Sequence, residues 1–192
     1  MQIKLMGEMT NMAGKGKQKC VFFDRDGIVN VSPGPDRYVT RWKDFHIIPE
    51  FPACLRIVQQ SGYQSAIVTN QRGVALGLLP EKKLADIHRR LKQLLISRHG
   101  LALLDVVCCP HDKNECSCRK PEPGMILALA EKHNIDLDKS WMIGDSETDV
   151  EAGRRAGCRT IRVTDKSRGS KADIRVTSMS ALSKRIRKIL SS

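Results

Sequence analysis

The stretch Cys20-Val21-Phe22-Phe23-Asp24-Arg25-Asp26-Gly27 decides the fold. An apolar run ends in a carboxylate, skips one residue, gives a second carboxylate and turns at a glycine. A short apolar run of this kind bounded by a turn signal reads as a buried strand. In open α/β sheets ligands gather at the carboxyl ends of strands. The run therefore delivers two acids to the edge where chemistry takes place. One suits a nucleophile or metal ligand, the other a proton donor. Taken alone the string also fits a solvated Asp-Arg-Asp turn, and three further segments shift the balance.

Outward from this strand the pattern alternates. A long loop runs to Ile47, followed by a helix from Pro52 to Gln60 and a strand at Ser65–Thr69. Pro80 fits the first position of a helix reaching Arg98, with Leu84, Ile87, Leu91, Leu94 and Leu95 as its core-facing stripe. A strand at Leu104–Cys108 precedes a cysteine-rich loop. A helix from Gly124 to His133, a strand at Trp141–Ile143, a helix over Thr148–Ala156 and a strand at Thr160–Val163 complete the alternation. A short strand at Ile174–Val176 and an amphipathic helix from Met179 to Leu190 close the chain. Such alternation predicts a Rossmann-like α/β fold: a parallel sheet with helices on both faces. No extra module interrupts it, so no large cap domain is expected. Residues 1–19 read as a disordered polar leader without a signal core, and 20–192 as one domain.

The second segment is Thr69-Asn70-Gln71-Arg72-Gly73. A hydroxyl and two amides at a strand end can hold an oxyanion, although Thr69 and Asn70 also suit a plain turn. The third is Cys118-Arg119-Lys120-Pro121-Glu122-Pro123-Gly124. Pro121 biases Lys120 toward extended geometry, and two prolines stiffen the approach to a helix. Lys120 then acts as a fixed positive charge suited to a phosphoryl group. The fourth is Gly144-Asp145-Ser146-Glu147-Thr148-Asp149, in which a strand again delivers a carboxylate. Asp145 suits Mg²⁺; Asp149 also fits an ordinary helix-start acid. Two acids, a hydroxyl, a fixed lysine and a metal-binding acid make the set that phosphoryl transfer to a carboxylate requires.

On these four segments the chain resembles the haloacid dehalogenase superfamily of phosphatases. The Asp-x-Asp-Gly pattern is Asp24 to Gly27, with Ile28 where the family usually has Thr. Thr69, Lys120, and Gly144 with Asp145 and Asp149 supply the other motifs, over about residues 20–165. The resemblance implies Asp24 as nucleophile, Asp26 as general acid and base, and Thr69 and Lys120 as holders of phosphoryl oxygens. It implies Mg²⁺ on Asp24, the Asp26 backbone and Asp145. Asp149 would stand behind them, orienting Lys120 or a metal-bound water. Asn70, Gln71, Arg72 and Arg119 are expected to meet the substrate. Cys109, His111, Cys116 and Cys118 match a structural Cys₃His zinc site in a loop spanning 109–118. Cys108 is the alternative to Cys109, and a set of free thiols the alternative to zinc. A zinc loop of this type resembles the branch acting on heptose bisphosphates or histidinol phosphate, and three stretches lean toward the heptose type.

The whole-chain properties agree with this. Seven cysteines without a secretion signal point to a reducing cytoplasm. No apolar run is long enough to span a membrane. The net charge of +12 raises a nucleic-acid reading. From Gly153 onward, however, 12 Lys/Arg face only Asp165 and Asp173, so the excess lies outside the motif region. Aromatic residues make up 4%, too few for a base-stacking platform. The expectation is a monomeric Mg²⁺-dependent phosphatase with structural Zn²⁺, acting on a small phosphorylated substrate. Its rivals are a DNA 3′-phosphatase and a non-catalytic zinc module that binds nucleic acid.

Overall fold

The computed structural model describes residues 16–165 and 169–191. Six strands form one fully parallel sheet: β1 (Cys20–Phe23), β2 (Gln64–Asn70), β3 (Asp105–Cys109), β4 (Trp141–Gly144), β5 (Arg159–Val163) and β6 (Ile174–Val176). Their order in space is β3-β2-β1-β4-β5-β6. The sequence runs outward from β1 on one side, then returns to β4 on the other. The order therefore reverses between β1 and β4, where an open α/β sheet forms its ligand crevice.

Five α-helices cover the two faces: α1 (Phe51–Gln60), α2 (Glu81–His99), α3 (Gly124–His133), α4 (Glu147–Arg155) and α5 (Met179–Leu190). Helices α1, α2 and α5 share one core with Phe23, Ile67 and Ile143. Helix α3 and Ala152 and Ala156, at α4 and its end, close the other core over Phe22, Val68 and Met142. The division follows from the strand period: successive side chains of an apolar strand point to opposite faces, and both faces here are buried.

The expected elements are all present, with ends shifted by a residue or two. Helix α2 begins at Glu81 with Pro80 just outside it, and Gly100 ends it in the left-handed conformation, at φ 64°. Strand β3 extends to Cys109 because that residue pairs with Asn70. The loop after β1 is less irregular than expected. It holds a 3₁₀ turn at Trp42–Asp44 and is closed by an antiparallel bridge from Asn30 to Ile47. Of the expected leader, residues 1–15 lie outside the described residues. Gln18 bridges to Ile135. Helix α5 buries Met179, Leu182, Ile186, Ile189 and Leu190, while Lys184, Arg185, Arg187 and Lys188 face outward. No helix among the described residues is long and apolar enough to cross a membrane.

Candidate active site

The switch point between β1 and β4 gathers the acids. The Asp24 backbone N–H donates to Ile143 O at 2.8 Å, which fixes the end of β1 against β4. Asp145 follows β4 directly. Gly27 is needed between them: its φ is +95°, and a Cβ there would lie 2.2 Å from Asp145 Oδ2. Gly144 permits the second approach, since a Cβ on it would meet the Asp149 side chain.

Lys120 ties these acids together. Its Nζ lies 2.6 Å from Asp24 Oδ1 and 2.6 Å from Asp149 Oδ1, and donates to Val68 O at 2.8 Å. The ammonium is buried, with all three N–H groups satisfied. Lys120 sits in a turn before a cis peptide to Pro121. The turn is held by Asn70, which donates to Lys120 O at 2.9 Å and accepts from Lys120 N at 3.0 Å.

Burial drives the Asp24 carboxyl up to about 7; Lys120 opposes the rise, while Asp149 and Asp145 add to it. Burial likewise pushes Asp145 to about 6, with Asp149 contributing. Burial alone would lower Lys120, but Asp149 and Asp24 more than offset it and hold the amine above its ordinary value. Three carboxylates and one ammonium thus leave an anionic pocket. Replacing Lys120 by Met leaves Asp24 and Asp149 buried without their cation. Breaking a buried pair in this way costs about 3–5 kcal/mol. Urea denaturation in magnesium-free buffer should show that loss, and a change below about 1 kcal/mol would mean the acids are paired otherwise.

Asp24, Asp145 and Asp149 offer carboxylate oxygens within 4.8 Å of one another. Asp149 has little to spare for a metal. One oxygen faces Lys120, and the other accepts from Ser146 N and Oγ in the capping box of α4. Asp24 and Asp145 are the acids left to hold a divalent cation, and their raised carboxyls fit one. The Asp26 side chain is outside this group. It accepts from Arg25 Nη2 at 2.9 Å, Asn30 Nδ2 at 2.9 Å and Gln71 Nε2 at 2.9 Å. Any metal contact from Asp26 therefore falls to its backbone.

The residues expected to meet substrate divide. Arg119 lines a cavity of about 770 Å³ together with Lys120, Asn70, Lys113, Ser117 and Thr148. Gln71 is fully buried and also donates to Thr69 Oγ1, so it braces Thr69 and Asp26 instead of facing that cavity. Arg72 is paired with Asp112, Nε to Oδ1 at 2.5 Å and Nη2 to Oδ2 at 3.2 Å, which latches the cysteine loop to the end of β2. Asn70 serves the Lys120 turn.

The loop after β3 brings Cys109, His111, Cys116 and Cys118 together. Cys109 Sγ lies 3.5 Å from Cys116 Sγ, and Cys118 Sγ lies 3.2 Å from Cys116 Sγ. His111 Nδ1 is 3.6 Å from Cys109 Sγ and 3.4 Å from Cys118 Sγ. Four donors converging on one point suit a tetrahedral ion. Burial lifts the Cys116 thiol, but hydrogen bonds from Cys118 and Cys109 bring it down to about 7. Cys108 points to the other face of β3, where it lines a separate cavity with His88.

Two buried residues were not singled out from the sequence: Arg25, between the two acids, and His88, on the buried stripe of α2. Arg25 carried a signal in its position. A charged residue directly after a buried strand, flanked by acids, needs a partner.

The protein matches the family described as HAD-hydrolase-like over residues 117–178. It is 36% identical over 146 residues to D-glycero-beta-D-manno-heptose-1,7-bisphosphate 7-phosphatase of Pseudomonas putida, covering 76% of this chain and 82% of the relative. It is 36% identical over 153 residues to the Photorhabdus laumondii enzyme named for the alpha anomer, covering 73% and 79%. The crystal structure of D,D-heptose 1,7-bisphosphate phosphatase from B. bronchiseptica, complexed with magnesium and phosphate, superposes with a TM-score of 0.78 at 26% identity. It covers 90% of this chain and 99% of that one.

Proposed function

The chain belongs to the heptose-bisphosphate phosphatase family of haloacid dehalogenase-like hydrolases, and from that membership we propose that it removes one phosphate from a D-glycero-D-manno-heptose 1,7-bisphosphate. It is a phosphoric monoester hydrolase. The observation that carries the mechanism is the buried Asp24–Lys120–Asp149 pairing at the β1–β4 switch point, with Asp145 beside it.

Asp24 attacks phosphorus, and the leaving alkoxide takes a proton from Asp26. Asp26 then takes a proton from the water that hydrolyses the aspartyl phosphate. Lys120 and Thr69 hold the phosphoryl oxygens, and Asp149 keeps Lys120 oriented. Magnesium, when bound on Asp24, Asp145 and the Asp26 carbonyl, supplies neutralising charge for those oxygens. Zinc on Cys109, His111, Cys116 and Cys118 fixes the loop that carries Arg119 and Lys120. Arg119, on the cavity wall, meets the second phosphate. Arg72 supports the cavity from behind through Asp112. Seven unpaired cysteines suit a reducing cytoplasm, where the protein acts as a monomer.

The test is phosphate release from both anomers of the heptose bisphosphate, histidinol phosphate and 3′-phosphorylated DNA. A heptose bisphosphate should be hydrolysed fastest. Arg119→Ala should raise KM for it more than for an aryl phosphate. Faster hydrolysis of the DNA end would overturn the substrate assignment, and equal losses on both esters would remove Arg119 from recognition.

A further inference from the structure

Arg25 is fully buried although it carries a charge. Its guanidinium donates to both Asp26 oxygens, from Nη2 at 3.1 Å to Oδ1 and 2.9 Å to Oδ2. The remaining terminal nitrogen, Nη1, lies 3.1 Å from His88 Nε2. The His88 ring is buried, and burial together with Arg25 lowers it to about 3. It is therefore neutral, and its Nε2 lone pair accepts from Arg25.

On its outer side His88 lines a cavity of about 580 Å³ with Leu84, Val106, Cys108 and Pro110. Arg25 does not line that cavity. The imidazole thus separates the guanidinium from open space and, among the described residues, gives it an acceptor away from Asp26.

We propose that His88 is a positioning residue for phosphate-ester hydrolysis: by holding Arg25 it fixes the orientation in which Asp26 faces the leaving-group oxygen. The inference rests on the phosphatase reading above. Asp26 is held at both oxygens by Arg25, Asn30 and Gln71, and Asn30 Oδ1 and Gln71 Oε1 have no partner. Both amides are turned with their N–H groups to this carboxylate. Only Arg25 among the three is charged, and its anchor is a side chain of α2, whereas Asn30 and Gln71 are anchored next to themselves on Val31 O and Thr69 Oγ1. Without an acceptor at 88, a buried guanidinium N–H is left unpaired. An unpaired N–H favours guanidinium orientations other than the one that holds Asp26.

The leaving group tests this. A primary alkoxide needs its proton at the transition state, and correctly placed general acids contribute about 10²–10⁴ in rate. A 2,4-dinitrophenolate departs without one. His88→Leu fills the space without an acceptor, and His88→Gln restores an acceptor oxygen. His88→Leu should lower kcat/KM for the heptose bisphosphate at least about tenfold more than for 2,4-dinitrophenyl phosphate, and His88→Gln should recover most of the difference. The aryl ester is also the measure of folded protein. Parallel losses on both esters, no loss on either, or no recovery in His88→Gln overturn the role of His88 while the phosphatase reading stands. A wild-type protein inactive on both esters overturns that reading, and this one with it.

Discussion

Asp24→Asn should abolish turnover. In the proposed mechanism the carboxylate is the attacking group, and it is one of two acids placed to hold a cation; an amide does neither well. Lost covalent nucleophiles cost on the order of 10⁴–10⁶ in kcat. The fold should survive. The substitution keeps the shape, and it removes one negative charge from a pocket where burial and neighbouring acids already push Asp24 up to about 7. The amide oxygen can still accept from Lys120 Nζ, now 2.6 Å from Oδ1. Expected, then, is an inactive protein with a melting temperature equal to or above that of the wild type. Phosphate release within tenfold of wild type would sink the mechanism. Inactivity accompanied by unfolding would instead overturn the expectation that the fold survives the substitution.

Loss of the metal from the cysteine loop should have the second largest effect. Structural zinc sites bind with apparent free energies of about 10–16 kcal/mol, and this becomes folding free energy where the site does not pre-exist. Among the described residues, the loop between β3 and α3 has no strand or helix of its own from Pro110 to Pro123. What fixes it is the four converging donors, the Arg72–Asp112 pair and the Asn70 contacts to Lys120. Cys116→Ser or Cys118→Ser should lose zinc, melt lower and hydrolyse slowly, because Lys120 sits two residues beyond Cys118. Cys20→Ser and Cys158→Ser should retain about one zinc per chain; both thiols lie in the core over α3 and α4 and are not among the four converging donors. Cys108→Ser should retain it too. Wild-type protein purified with zinc present but containing none, or loop variants with full metal, would reduce the cluster to free thiols.

Much of this was legible in the chain. The apolar run of β1 read as a buried strand, and together with the three further segments it located Asp24 and Asp26. The Gly144–Asp145 pair behaved in the same way. Motif order and spacing then gave the family. The Cys109/His111/Cys116/Cys118 group was legible because tetrahedral donors within ten residues leave few other readings. Element boundaries were less so. The end of β3 depends on its partner Asn70, and the start of α4 on the Ser146 cap, which are contacts rather than propensities.

The sequence by itself determined the alternation of strands and helices, the acids at the strand ends and the four donors of the cysteine loop. Each is local, fixed by period, by turn chemistry or by spacing. The tertiary structure alone decided that β1 and β4 are neighbours, and so that Asp24 and Asp145, 121 positions apart, form one site. It also gave partners to the polar residues at and after the end of β2. Read from the chain, Asn70, Gln71 and Arg72 were candidates to touch substrate. Folded, Asn70 fixes the Lys120 turn, Gln71 braces Asp26 and Arg72 latches Asp112. The reason is physical. A buried polar group must find a partner, and which partner lies within 3 Å depends on how distant segments pack, which no local pattern records.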